Sequence, residues 1–313
     1  MDRRNFLRAV ALAGGAVAIA STKGAMDVMA QKVTNPQTGN TVDLVAVMGG
    51  EPDEMFKRGI AEMGGLSKFI KPDQKVTIKP NIGWDRTPEL AGNTNPKLIA
   101  EIVRECFAAG AKEVTIFDHT CHEWTNCYKN SGIESAAKSA GAKVIPAHEE
   151  SYYRNISLPH GKELKNAKIH EAILNCDVWI NVPILKNHGG ANMTISMKNH
   201  MGIVWDREIF HQKDLQQCIA DICSLDKKPV LNVVDAYRVM KDNGPQGKSI
   251  ADVVTPKGLF ISQDIVAVDT AATKFFNQIR EMPLDHVGHL SNGQALHLGT
   301  MDLDKLNIKR IKI

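Results

Sequence analysis

The sequence of 313 residues has no large excess of charge of either sign. Its 38 Lys and Arg residues stand against 35 Asp and Glu residues, which gives a formal net charge of +3 at pH 7. Nucleic-acid binding needs clustered positive charge, so this balance implies no nucleic-acid partner. After residue 20 there is no apolar run of the about 20 residues that a membrane helix needs. Low-complexity tracts and convincing internal repeats are absent as well, which leaves a globular domain as the expectation.

The six cysteines include no Cys-x-x-Cys pair, so the usual spacing of an iron–sulfur cluster motif is missing. Four of them lie in apolar contexts and are expected to be buried as small hydrophobic residues, namely Cys106, Cys176, Cys218 and Cys223. Three interpretations stay open for Cys121 and Cys127. They form a disulfide, which an oxidising compartment permits, or Cys121 binds a metal, or both are free thiols.

The chain begins with a paired arginine, Arg3-Arg4, then a Phe-Leu step and a charge-free apolar run from Ala9 to Ala20. A charged start before an apolar run too short to span a bilayer is typical of a removable export signal. The pattern predicts a twin-arginine signal over residues 1–30. We therefore expect the twin-arginine translocase to deliver the folded protein to the periplasm, with no stable membrane span in the mature chain.

Two details of the export signal stay open. Cleavage after Ala20 and cleavage after Ala30 both fit the small residues that precede each position. The alternatives to a cleaved signal are a retained signal that acts as a membrane anchor and a buried N-terminal helix with a chance arginine pair.

Residues 40–313 alternate between apolar strand-like runs and amphipathic helical segments. Strands that are apolar throughout are buried on both faces, so the pattern predicts a single α/β domain with a mainly parallel sheet and helices on both faces. The predicted strands are 42–48, 75–79, 113–117, 143–145, 177–182, 229–234 and 258–261, with a closing strand at 306–313. The predicted helices are 52–63, 95–107, 133–140, 215–225 and 265–278, with a helix pair at 285–298.

Ionisable residues follow the apolar strands at the points where the strands end. Lys79 ends the second predicted strand, Asp118 follows the third, and Asp235 follows the strand at 229–234. Ligands bind at the carboxyl ends of the strands in open α/β sheets. We therefore expect Lys79, Asp118, Lys186 and Lys198 to converge at one edge of the sheet. The simpler interpretations are a solvated turn lysine for Lys79 and a helix N-cap for Asp118.

One tripeptide, Lys-Asn-His, occurs at 186–188 and again at 198–200, with a glycine pair between the copies. Lysine supplies a compact positive charge, histidine supplies proton transfer near neutral pH, and glycine lets a ligand approach the backbone closely. The pattern predicts that Lys79, Lys186 and Lys198 hold a small anionic molecule while His188 or His200 moves protons. A polar loop stabilised by Asn turns is the structural alternative.

The loop after the third strand reads Asp-His-Thr-Cys-His over residues 118–122. Imidazole and thiolate are good ligands for zinc and nickel, so a bound transition metal (zinc, nickel or iron) is one hypothesis. The hypothesis assigns the metal to His119, Cys121 and His200, and cofactor binding to Asn81, Asn199 and Asp235.

Several short motifs together carry a family resemblance. In chain order they are Lys79-Pro80-Asn81, Thr94-Asn95-Pro96, Gly110-Ala111, Asp118, Asn181-Val-Pro183-x-x-Lys186-x-His188, Lys198-Asn199-x-x-Gly202, Asp235, Asn243-Gly244-Pro245 and Asp264-x-x-Ala267-Val-Asp269. Their order and spacing resemble the bacterial and archaeal domain-of-unknown-function 362 family from about residue 42 to 300. The resemblance implies no settled activity. Some members carry an added iron–sulfur domain, and this chain lacks its cysteine-rich motifs.

Two departures from the family pattern suggest a specialised subgroup. Lys186-Asn187-His188 stands where the family often has Lys-Thr-His, and residues 117–121 stand where it often has a Gly-Asp-Ser loop. A weaker likeness, at the level of fold analogy, connects the chain to the nickel-dependent lactate racemase family, which also places Lys and His near strand ends.

Three functions are compatible with these residues. The first is a periplasmic enzyme that acts on a small anionic substrate, with a bound metal as an option. The second is a non-catalytic protein that binds metal or anion, or that serves cofactor maturation. The third is a redox protein that uses Cys121 and Cys127.

Overall fold

Short apolar strands and helices alternate along residues 41–313, which are the residues that the computed structural model describes. The predicted export signal at residues 1–30 lies outside them. The strands are β1 (Leu44–Met48), β2 (Lys75–Pro80), β3 (Glu113–Ile116), β4 (Lys143–Val144), β5 (Tyr153–Ser157), β6 (Asn166–His170), β7 (Val178–Val182), β8 (Ile184–His188), β9 (Asn192–Thr194), β10 (Leu231–Met240), β11 (Val253–Val254), β12 (Gly258–Ser262) and β13 (Ile308–Lys312). The helices are α1 (Pro52–Glu62), α2 (Pro96–Ala108), α3 (Trp124–Asn130), α4 (Ile133–Ser139), α5 (Glu171–Leu174), α6 (Ser196–Asn199), α7 (Glu208–Gln212), α8 (Leu215–Ile222), α9 (Ile265–Ile279) and α10 (Gly288–Ala295).

The main sheet has the strand order β13-β1-β12-β10-β7-β2-β3-β4. Neighbouring strands in this order are parallel except at β12, which runs antiparallel to both β1 and β10. Beyond β7 the chain continues as β8, which pairs parallel with the far part of β10 and antiparallel with β9. A separate antiparallel ribbon is formed by β5 and β6.

Both faces of the sheet are covered by helices, as the alternation of side chains along β12 demonstrates. Ile261 projects to one face, where it lies close to Gly59 of α1. Phe260 projects to the other face and packs on Phe275 of α9 with ring centroids 5.3 Å apart. Successive residues of a strand point to opposite faces, so α1 and α9 lie on opposite sides of the sheet. Residues 42–313 thus form one α/β domain.

Helix α2 illustrates how local sequence positions an element beside the carboxyl ends of the central strands. Asn95 caps it by accepting a hydrogen bond from the Lys97 amide at 3.0 Å, and Pro96 occupies the first turn, where its missing amide hydrogen costs nothing. Ile99 and Val103 of its apolar stripe are fully buried. Beyond its end Gly110 adopts a φ of 97°, a conformation that favours glycine.

The predicted mainly parallel sheet flanked by helices is confirmed, and each predicted strand, and each predicted helix before residue 285, has a counterpart in the structure. The pattern did not predict the β5–β6 ribbon or the β8–β9 pair, because these short strands carry polar residues in place of apolar runs. The segment 285–298, predicted as a helix pair, contains a single turn of 3₁₀ helix followed by α10. No helix within residues 41–313 has the length and apolar character that crossing a bilayer requires.

Asp269 connects α9 to α6, the short helix that carries Lys198 and Asn199. Its carboxylate is fully buried and accepts the amide hydrogens of Ser196 and Met197, each at 2.8 Å. Burial raises the pKa of Asp269 to about 7, although both amides act in the opposite direction. The carboxylate therefore satisfies two backbone donors at the start of α6.

We expect Asp269→Ala to lower the free energy of unfolding by about 2–4 kcal/mol, because each buried donor left without a partner costs about 1–3 kcal/mol. Urea denaturation followed by circular dichroism measures the loss. Asp285→Ala, at an exposed aspartate, is the matched control and should leave the midpoint unchanged. Equal midpoints for the two variants would contradict this role of Asp269.

Candidate active site

A cavity of about 800 Å³ opens at the carboxyl ends of β2 and β3. Most of the side chains predicted to carry function line it, namely Lys79, Asn81, Asp118, His119, Cys121, Lys186, His188, Lys198 and Asn199. The structure therefore brings together residues that are up to 120 positions apart in the sequence. This convergence is what a parallel sheet with polar strand ends predicts.

Lys79 and Asp118 form a buried ion pair in the cavity wall. The Lys79 ammonium lies 2.9 Å from Asp118 Oδ1, and the two side chains are 1% and 2% exposed. Asp118 Oδ2 accepts the Ile82 amide hydrogen at 2.6 Å. The Tyr128 hydroxyl fixes the backbone of Asp118 from behind, since it accepts the Asp118 amide hydrogen at 2.7 Å and donates to the Asp118 carbonyl oxygen at 2.9 Å. Asp118 thus anchors a lysine, and the predicted alternative of a helix cap does not apply.

Gly202 packs directly against this ion pair. A Cβ atom at this position would overlap both the Asp118 carboxylate and the Lys79 ammonium. The backbone of residues 200–203 therefore covers the pair at a distance that only glycine permits.

Asn199 connects Lys79 to the other polar groups of the site. Its Oδ1 accepts from Lys79 Nζ at 2.8 Å and from Asn81 Nδ2 at 3.1 Å, and its Nδ2 donates to Asn181 Oδ1 at 2.8 Å. Asn181 in turn donates to Asn232 Oδ1 at 2.9 Å. Amide side chains can donate and accept at once, so this chain of asparagines fixes the orientation of each member.

Lys186 lies at the other end of this network. Its Nζ donates to Asn81 Oδ1 at 3.2 Å and to the Gly92 carbonyl oxygen at 2.6 Å, and no carboxylate of the described residues pairs with it. Burial lowers the pKa of Lys186 to about 7. The charges of Lys198 and Lys79 act in the same direction, and Cys121 and Asp118 oppose them. The amine and ammonium forms of this side chain are therefore both accessible near neutral pH.

His188 is held in one tautomer by two backbone amides of the turn that follows it. Its Nδ1 accepts the amide hydrogens of Gly190 and Ala191, each at 3.1 Å. Burial, reinforced by the charges of Lys198 and Lys186, holds the pKa of His188 far below its usual value. The ring is therefore neutral, with its proton on Nε2.

Lys198 is the one lysine of this cluster whose Nζ makes no hydrogen bond or ion pair to any of residues 41–313. It is half-buried in the cavity wall. Burial lowers the pKa of Lys198 to about 8, and the positive charges of Arg207 and Lys79 oppose its protonation further.

His119 and Cys121 lie on the loop that follows β3. His119 Nδ1 donates to the Val204 carbonyl oxygen at 2.8 Å, and its ring stacks on Trp205 with centroids 5.1 Å apart. Burial lowers the pKa of His119 to about 4, so the ring is neutral and Nε2 carries a lone pair. The Cys121 thiol is exposed.

Arg207 is a site residue that the sequence analysis missed. One guanidinium nitrogen donates to the His119 carbonyl oxygen at 2.9 Å and contacts Cys121 Sγ at 3.3 Å, and the other donates to the Thr120 carbonyl oxygen at 2.7 Å. Arg207 thereby fixes the 119–121 loop and adds a positive charge to the cavity. Its position a few residues after the second Lys-Asn-His tripeptide is the signal that would have pointed to it.

The family described as "Domain of unknown function (DUF362)" matches residues 76–274, which include every side chain discussed so far in this site. The chain belongs to the DUF362 family. A thylakoid-associated protein of the cyanobacterium Synechocystis sp. is 23% identical to it over 220 residues, a match that covers 67% of this chain and 65% of that protein. The lactate racemase apoprotein from Thermoanaerobacterium thermosaccharolyticum is similar in structure, with a TM-score of 0.47 and 14% identity over 80% of this chain and 60% of that chain.

Two predicted site residues of this DUF362 protein lie away from the cavity. His200 lines a second cavity of about 360 Å³, where its Nδ1 donates to the Ser196 carbonyl oxygen at 3.0 Å and burial lowers its pKa to about 3. Asp235 accepts the amide hydrogens of Asn95 at 2.7 Å and Tyr237 at 3.0 Å, and burial raises its pKa to about 6. Asp235 thus holds the capping residue of α2, which is a structural contact rather than a cofactor contact.

His119, Cys121 and His200 therefore do not form one metal site, because His200 belongs to a different cavity. Across residues 41–313, no three His, Cys, Asp or Glu side chains are grouped so that they could share an ion. Cys121 and Cys127 are both free thiols. Cys127 is buried and its pKa is raised to about 12 by burial, which opposes formation of the thiolate that redox exchange needs.

We expect Gly202→Ala to lower the free energy of unfolding by about 1–3 kcal/mol, because the added methyl group separates Lys79 from Asp118. Gly189→Ala is the matched control, since the nearest atom to its Cβ would be the Gly244 carbonyl oxygen at 3.6 Å, an ordinary contact. Urea denaturation compares the two variants. Similar stability for both would show that the backbone at 202 has room to move.

Proposed function

We propose that this DUF362 protein is an enzyme that acts on a small organic anion by proton transfer in the cavity. The observation that carries the proposal is the charge of the inner cavity wall. Lys79, Lys186 and Lys198 are set against one buried carboxylate, Asp118, which is already paired to Lys79. The other acidic side chains of the lining are exposed and so are solvated: Glu150, Asp206 and Glu208. An anion that enters the cavity compensates this excess of positive charge.

Lys186 is the proposed proton-transfer group. As a neutral amine it keeps both hydrogen bonds, to Asn81 and Gly92, and has one lone pair left. As an ammonium it keeps the same two bonds and has one N–H left. A single proton can thus enter or leave without any rearrangement, and a pKa of about 7 places the exchange at neutral pH.

The sequence predicted that His188 moves protons, but the proposed role of His188 is that of a neutral hydrogen-bond donor. Because Nδ1 already accepts two amide hydrogens, the ring offers the cavity only a neutral Nε2–H. A neutral imidazole donor stabilises negative charge that develops on a substrate oxygen without adding another cation beside Lys186.

Export of the folded enzyme to the periplasm by the twin-arginine translocase is part of the proposal. It is supported by the arginine pair and the short apolar run that follows it.

We expect oxalate, a small dianion, to bind more weakly as the pH rises from 6 to 9. The protonated lysines attract the anion, and Lys186 and Lys198 lose their protons near pKa values of about 7 and about 8. Isothermal titration calorimetry should give a Kd at least tenfold higher at pH 9 than at pH 6.

Lys198→Arg should weaken this dependence, because arginine keeps its charge throughout this range and only the titration of Lys186 remains. Lys274→Arg, at an exposed lysine outside the cavity, should reproduce the native curve. An affinity that is independent of pH, or that rises with pH, would contradict the assignment of the cavity to an anion.

A second candidate function is a non-catalytic protein that carries a transition metal, and it is favoured by the hydrogen bond of His119. A backbone carbonyl accepts from Nδ1 and leaves the Nε2 lone pair available, which is the arrangement that metal-binding histidines show. The exposed Cys121 thiol lines the same cavity. A zinc, nickel or iron ion held by these two side chains would take its remaining ligands from the cargo or from water.

The metal proposal is tested by elemental analysis of the purified full-length protein after incubation with zinc. His119→Ala should abolish stoichiometric zinc, whereas His200→Ala should not, because His200 lines the other cavity. Equal retention of zinc in both variants would remove His119 from the metal site.

A further inference from the structure

Lys198 has a fixed backbone and a side-chain amine without a hydrogen-bond partner among the described residues. Its helix, α6, begins at Ser196, whose amide is bound by Asp269, and ends at Asn199, which is held by Lys79 and Asn181. The backbone is therefore rigid on both sides of Lys198. Its Nζ, in contrast, has no acceptor among residues 41–313, although it lies in the cavity wall.

The surroundings of this amine disfavour its charged form. Burial is the largest effect on Lys198 and opposes its protonation. The charges of Arg207 and Lys79 oppose protonation as well. Cys121 and Asp118 favour protonation, but they do not outweigh burial. Asp118 is in addition already paired with Lys79. An ammonium here is half-buried and has no counter-ion among the described residues, so the pKa of Lys198 falls to about 8 and its neutral amine is far more accessible near neutral pH than that of a solvated lysine.

A neutral lysine amine with an unshared lone pair is a nucleophile toward carbonyl carbon. Desolvation and a neighbouring cation are the two devices that activate lysine for this chemistry, and both are present here. Lys186 differs because both of its acceptors hold the amine in place. Lys198 is thus the free nucleophile, and Lys186 is the fixed proton-transfer group beside it.

We propose that Lys198 forms a covalent iminium with the carbonyl group of a substrate that also carries a carboxylate, such as a 2-oxo acid. The inference rests on the proposed function, in which the cavity binds a small organic anion, and it names the class of that anion. The carboxylate is attracted by the surrounding cations, which places the carbonyl carbon next to the amine.

The step is balanced without any added oxidant or reductant. The Lys198 nitrogen forms a bond to the carbonyl carbon, and the carbonyl oxygen takes up two protons and leaves as water. In the net reaction, one ammonium group and one carbonyl group give one iminium group and one water molecule. The iminium carbon is electron-poor, so a hydrogen on the adjacent carbon becomes acidic, and Lys186 is the base that the structure places in the same cavity.

Reductive trapping tests the proposal directly. The full-length protein is incubated with pyruvate and then with sodium borohydride, which delivers hydride to an iminium carbon and leaves a stable secondary amine. Peptide mass spectrometry should find the adduct on Lys198 in at least tenfold preference over the exposed Lys274. Excess oxalate, which binds as an anion but forms no iminium here, should suppress the labelling.

Two matched variants make the result specific. Lys198→Arg keeps the charge but removes the nucleophile, so the adduct should disappear from this position. Lys274→Arg should leave the labelling of Lys198 unchanged. Uniform labelling of surface lysines, or an adduct on Lys186 in place of Lys198, would overturn the proposal.

The oxalate titration separates this inference from the proposed function. If oxalate binds but borohydride traps nothing on Lys198, the covalent step is wrong and the anion site stands. If oxalate neither binds nor protects, the anion site itself is wrong, and the covalent step is wrong with it.

Discussion

The buried ion pair between Lys79 and Asp118 is the interaction on which the arrangement of the site depends. Removing two charges from water is costly, and a buried pair persists only where further hydrogen bonds satisfy both partners. Here the Ile82 amide serves the carboxylate and Asn199 serves the ammonium. The pair thereby joins the ends of β2 and β3 to α6 and fixes the geometry of this part of the cavity wall.

Much of the fold could be predicted from the sequence because apolar strands and amphipathic helices carry strong periodic signals. The convergence of Lys79, Asp118, Lys186 and Lys198 followed from one rule, that parallel strands present their carboxyl ends at one edge. The reversed direction of β12 could not be predicted, since a strand buried on both faces has the same composition in either direction. Strand β8 could not be predicted because it ends in polar residues of the site, Lys186, Asn187 and His188, and so lacks an apolar run.

The repeated Lys-Asn-His tripeptide shows where sequence reasoning stops. The two copies look alike, yet Asn187 accepts from the Gly244 amide, while Asn199 is the centre of the lysine network. The two histidines face different cavities. One copy lies on an extended strand and the other on a helical turn, so equal spacing in the sequence produces unequal directions in space.

The close approach of residue 202 to Lys79 and Asp118 has a consequence for how this site can change over evolutionary time. A side chain at position 202 would overlap both charged partners, because the three share one volume. We therefore expect changes at these three positions to be coupled. A relative in which residue 202 has become larger should also have shortened or neutralised one of the two charged side chains.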